Sequence, residues 1–210
     1  MADWSTIASL STAGGTLVLA IATFTSVRSS NRAARIAEQS LLTRLRPLVT
    51  SSRLEDPPEK IGFMDEHWVK VPGGCGSAEV AGDSIYMTMS LRNVGTGIAV
   101  LDRWYLHLDS LDQSIEHGDP EHFRRLTRDL VVGPGDRGFW QGAIRDRDDA
   151  DYERLRAVIE ERRTFRIELL YNDGEGGQRM ISLFSLIPRP SGDWLVTAAR
   201  HWNLDRADPR

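Results

Sequence analysis

SIYMTMSLRNVGTGIAVLDRWYLHL, residues 84–108, is the stretch on which the fold turns. Residues 84–92 alternate, with Ile85, Met87, Met89 and Leu91 on one side and Tyr86, Thr88, Ser90 and Arg92 on the other. A period of two places successive side chains on opposite faces of a strand. Residues 98–108 form the next strand, with Trp104, Leu106 and Leu108 sharing a face. Between them, Asn93, Gly95 and Gly97 read as a turn whose two glycines can take positive φ.

Downstream the same signals recur. Residues 130–132 and 138–143 read as short strands around Gly133-Pro134-Gly135. Residues 164–171 and 178–187 read as a hairpin across an Asn-Asp-Gly-rich turn, and residues 194–200 as a last strand. Two helices interrupt them. Pro120 opens one over residues 120–128. The other covers residues 148–163, with Asp148, Asp149 and Asp151 at its start and Arg162 and Arg163 at its end, matching the helix dipole; Tyr152, Leu155, Val158 and Ile159 are its buried stripe. About seven strands with irregular turns predict a sandwich over residues 47–202, and a frayed tail follows at 203–210. The connection N-x-G-x-G-x-A at residues 93–99, with its flanking strands, resembles that of immunoglobulin-like β-sandwich modules in bacterial surface and membrane proteins. The resemblance covers about 20 residues, implies a fold and carries no activity.

Upstream, residues 48–54 read as a first strand. Residues 55–83, rich in Pro and Gly, read as a long loop, and such a loop is either mobile or functional. It contains Trp68, a candidate contact residue together with Asn93, Gly95 and Gly97 of the turn.

The N-terminal residues 4–27 carry no ionisable side chain. Roughly 20 predominantly apolar residues span a bilayer as a helix, so Trp4, Leu17, Leu19, Ile21 and Phe24 are expected to anchor the chain in lipid. Serines, threonines and Gly14-Gly15 dilute the segment. Ala8, Thr12, Thr16 and Ala20 fall on one face where a second copy of the helix can approach. Residues 28–46 continue as a basic helical stalk, which Pro47 should end near residues 45–46. Arg28, Arg32 and Arg35 on this side of the span orient it with the N-terminus outside and the main domain cytoplasmic. With the anchor and stalk, the chain also resembles uncharacterised bacterial single-pass membrane proteins. A secreted domain behind a cleaved signal is the alternative, but Met1–Trp4 offers no basic start. The expected fold is therefore mainly β: a transmembrane helix (1–27), a stalk (28–46) and an immunoglobulin-like β-sandwich with two inserted helices.

Net charge is −4, to which residues 1–27 contribute −1 and residues 28–46 +4, leaving −7 on residues 47–210. An acidic domain argues against nucleic acid, which needs clustered Lys and Arg. The basic stalk suits anionic lipid head groups instead. Cys75 is the only cysteine, so no intrachain disulfide forms. Nothing requires a cofactor. The strongest metal candidates are His117, Asp119 and His122, the basis of an alternative reading as a metal-dependent hydrolase, but zinc needs three or four converging ligands and spacing identifies no fourth. The principal expectation is a membrane-anchored, non-enzymatic interaction module that presents its domain to a protein partner, with Trp202 near the tail a further contact candidate.

Overall fold

The computed structural model describes residues 4–108 and 116–205, without the side chains of residues 4–13, 39 and 41–44. The chain divides into two compact units between Arg44 and Leu45.

The first unit contains one helix, α1 (Trp4–Arg44), 41 residues long. It stops just before Pro47, whose ring disfavours the helical conformation at Arg46. Leu17, Val18, Leu19, Ile21, Phe24 and Val27 encircle the helix and are each more than half exposed. Two of its hydroxyls are satisfied internally, because Thr23 Oγ1 donates to Leu19 O at 2.8 Å and Thr25 Oγ1 to Ala22 O at 2.9 Å. The described side chains begin at Gly14. From there the uncharged run to Val27 covers about 21 Å of helix, short of a hydrocarbon core about 30 Å thick. Among the described residues, no helix is long and apolar enough to cross a membrane. The expected span needs residues 4–13 as well, and their side chains, Trp4 included, lie outside the description.

The second unit is mainly β. Its strands are β1 (Val49–Ser51), β2 (Glu59–Gly62), β3 (Trp68–Val71), β4 (Cys75–Ala81), β5 (Ser84–Asn93), β6 (Ala99–His107), β7 (Arg124–Val132), β8 (Arg137–Ile144), β9 (Phe165–Asn172), β10 (Met180–Pro188) and β11 (Trp194–Asn203). Nine of these form one sheet in the order β1-β5-β4-β11-β10-β9-β6-β7, with β8 on β5; β2 and β3 form a separate hairpin. β4 and β1 share one edge of β5, pairing with its beginning and its end, and β8 takes the other edge. The sheet curls around its core. Its two ends are thus β7 and β8, which residues 133–136 join in sequence but which do not pair.

Four sequence expectations change. Residues 55–83 are not a loop: Pro and Gly punctuate three short strands there. The helix expected at residues 120–128 is a single 3-10 turn, Pro120–His122, followed by β7. Asp119 does cap that turn, accepting from Glu121 N at 3.0 Å, but Phe123 is buried and Arg124 and Arg125 pair with β6, so cross-strand partners override local helix signals. The later helix is shorter, α2 (Tyr152–Glu160), although its buried stripe is the expected one. In the tail, Asp205 is held by Arg179 at 2.6 Å; residues 206–210 lie outside the description.

The main core brings Trp104, Trp140 and Trp194 together with the inward faces of β5, β6, β9 and β10 and the stripe of α2. The other face of β5 is buried too, because Ile61, Phe63, Val69 and Val71 of the β2–β3 hairpin pack on Tyr86. A third cluster of Phe123, Leu170, Ile181, Leu183 and Trp202 lies on the opposite face of β9 and β10.

Candidate functional site

At the seam between β7 and β8 the sheet fails to close. The turn joining them is tied to β5: Asn93 N donates to Asp136 O at 3.0 Å and Gly135 N to Asn93 O at 2.9 Å. Beyond it β7 follows β6 and β8 follows β5. Leu130 pairs with Leu101, and Arg125 with Arg103, so residues 126–129 of β7 bulge opposite Asp102 alone. A side-chain bridge crosses the seam, Arg128 donating to Gln141 Oε1 at 2.7 Å, with its guanidinium 5.4 Å from the Phe139 ring.

The seam opens into a cavity on either side of that bridge. One, of about 180 Å³, is lined by Trp104, Arg124, Arg125, Leu126, Ala143 and Arg145, with Met64 at its rim. The other, of about 390 Å³, is lined by Leu130, Val132, Phe139, Arg137, Glu59 and Lys60. Five cationic side chains therefore face the two cavities against one acid, Glu59. A strand edge beside a cationic, partly apolar groove suits an extended acidic peptide, whose main chain can bond the edge while its carboxylates meet guanidiniums.

Most of these charges are positioned by partners. Arg124 bonds both carboxyl oxygens of Asp149 and, at 2.6 Å, Asp151. Asp149 holds the guanidinium firmly protonated, with help from Asp151, and Arg124 in turn holds the Asp149 carboxyl below its usual range. Arg145 Nε lies 2.9 Å from Asp65 Oδ2; this bond, with the Tyr86 hydroxyl donating to the same oxygen at 2.7 Å, lowers the Asp65 pKa to about 2. Burial pushes the Glu59 carboxyl up, against the pull of Arg137. Arg125 is exposed.

The outer face of the β2–β3 hairpin extends this surface through Glu59 and Lys60, which it shares with the larger cavity. Trp68 is 58% exposed there, with Lys60 Nζ 4.7 Å from its ring. The indole lies across Gly62, where a Cβ would stand 2.8 Å from the ring.

Trp68 is the one expected contact residue that is both exposed and beside the seam. Asn93 is fully buried: Oδ1 accepts from Leu48 N at 3.1 Å and Gly95 N at 2.9 Å, while Nδ2 donates to Gly97 O at 2.7 Å and Val132 O at 3.0 Å. Gly95 and Gly97 do not take positive φ. They are glycines because residues 45–48 pass over them, and a Cβ on Gly97 would stand 1.7 Å from Leu45 O. All three hold the connection between β5 and β6 in place, with Asn93 and Gly97 buried. Trp202 is buried as well. Sequence reasoning missed Arg124, Arg125 and Arg128 as a groove wall, since a helical reading turns them outward; the apolar alternation of Leu126, Leu130 and Val132 was the available signal.

The metal candidates do not converge. His117 Nδ1 lies 2.7 Å from Gly118 O, Asp119 caps the 3-10 turn and His122 is exposed. Among the described residues, no group of three His, Cys, Asp or Glu could hold a metal ion. Nearby, the buried Glu168 accepts from Gly118 N at 2.9 Å and has His107 Nε2 3.0 Å from Oε1. Ser182 Oγ lies 2.7 Å from His201 Nδ1, the spacing of a nucleophile and its base. It is fully buried, however, and also contacts Tyr171 Oη at 2.8 Å and Val49 O at 3.3 Å, a network that pins β1. Burial also pushes the Cys75 thiol up, helped by Asp193 and opposed by Arg189, the direction that disfavours the nucleophilic thiolate. No known protein family matches the chain, no curated protein is similar to it, and no solved structure matches its fold.

Proposed function

We propose that this protein is a membrane-anchored, non-catalytic interaction module whose β-domain docks an extended acidic segment of a protein partner in the cytoplasm. The observation that carries the docking is the unpaired seam between β7 and β8, lined by Arg124, Arg125, Arg137, Arg145 and Lys60 and flanked by exposed Trp68. Support for the anchor is the 24-residue uncharged run at residues 4–27, followed by Arg28, Arg32 and Arg35, on a helix whose apolar side chains are exposed all round. A helix apolar on every side belongs in a protein core or in lipid. The immunoglobulin-like sandwich reading rests on the N-x-G-x-G-x-A connection and suits a scaffold that offers strand edges to peptides.

The test is photo-crosslinking in native membranes from a benzoylphenylalanine at Thr127, an exposed β7 position. A discrete partner should be captured, and the Arg125→Glu/Arg128→Glu variant should lose about tenfold or more of it, since reversing charges at a paired interface is costly. Capture unchanged by the reversal, or no discrete partner, would rule the seam out.

A further inference from the structure

Phe24, Val27, Arg28, Asn31, Arg32 and Arg35 line one groove on α1, of about 500 Å³. At 100° and 1.5 Å per residue, the three guanidiniums fall within an arc of about 60° and about 10 Å of helix axis. All six side chains are exposed. The groove contains no acid; Glu38, the one acidic residue of the stalk, lies beyond it. Its lining changes character along the axis, from apolar at Phe24 and Val27 to cationic at Arg28, Arg32 and Arg35.

We infer that this groove binds the phosphate of an anionic phospholipid, with its acyl chain along Phe24 and Val27. A guanidinium meets phosphate through two parallel hydrogen bonds, and three arginines on one face with Asn31 between them can surround a single headgroup. The apolar end selects a lipid over free phosphate, because it gives the chain attached to the headgroup a place to lie. Such a contact would fix the depth and rotation of the helix at the inner leaflet, where anionic lipid is met. This inference rests on the membrane reading of α1.

The experiment is native mass spectrometry of the full chain in a non-ionic detergent, with phosphatidylglycerol and phosphatidylcholine of matched chains added together. Phosphatidylglycerol should be retained about tenfold or more over phosphatidylcholine, given the attraction of each arginine for anionic headgroups. Arg28→Gln/Arg32→Gln/Arg35→Gln should abolish the preference, while Arg147→Gln, in the β-domain, should leave it intact. Equal retention of both lipids overturns the inference, as does a preference that survives the triple variant. Displacement of phosphatidylglycerol by excess inorganic phosphate, but not by sodium chloride of the same ionic strength, also overturns it, by showing a site for free phosphate. Alkaline carbonate extraction of native membranes is read separately. Release of the chain there defeats the anchor itself, whereas a chain that resists extraction without lipid preference defeats this inference alone.

Discussion

Asn93 shows how one side chain can hold a connection together. Its amide makes four hydrogen bonds inside the protein, to the segment before β1, to its own turn and to the end of β7. Asn93→Ala leaves several buried polar groups unpaired and should cost about 2–4 kcal/mol, measured by denaturant unfolding followed through tryptophan fluorescence. Gly97→Ala should be at least as damaging, because the obstacle is backbone and cannot swing aside. Asp65 supplies a second test at a single group. Its folded pKa is depressed to about 2 from 3.8, so its pairing stabilises the hairpin fully above pH 3.8, and that contribution is lost as pH falls towards 2. Carboxyl NMR should find the low midpoint, and Arg145→Gln should return it towards 3.8; a midpoint unmoved by that substitution would discount the pair.

Among the elements, β7 and α2 are coupled through Arg124, which reaches Asp149 and Asp151 at the start of the helix. The pair is partly exposed, so Arg124→Gln should cost only about 1 kcal/mol globally. The local effect should be larger: amide exchange at the first turn of α2 should quicken while the β10–β11 pair stays protected. Uniform exchange across both would show that the contact does not hold α2. The β2–β3 hairpin is the element least visible beforehand. Ile61, Val69 and Val71 alternate with exposed Lys60, Trp68 and Lys70 over only four residues per strand, too few for periodicity to outweigh the surrounding Pro and Gly. The long β5 strand has the alternation its sequence predicts, yet both its faces are buried, because that hairpin covers the second one.

For the whole molecule, the division between Arg44 and Leu45 makes a direct prediction. Deleting residues 4–27 should move the folded β-domain into the aqueous fraction with its cooperative denaturant unfolding retained, whereas the full chain should remain with membranes; a full chain found in the aqueous fraction would remove the anchor. The amino-acid order alone was enough for the β class, the helix ending before Pro47 and the α2 stripe, because period and proline geometry act over a few neighbouring residues. It could not place Arg124, Arg125 and Arg128 on a groove, nor bury Asn93 and Trp202. Those outcomes depend on which strands meet across the curl of the sheet, and partners distant in sequence, such as Leu48 for Asn93 and Phe123 for Trp202, set them by hydrogen bonding and packing.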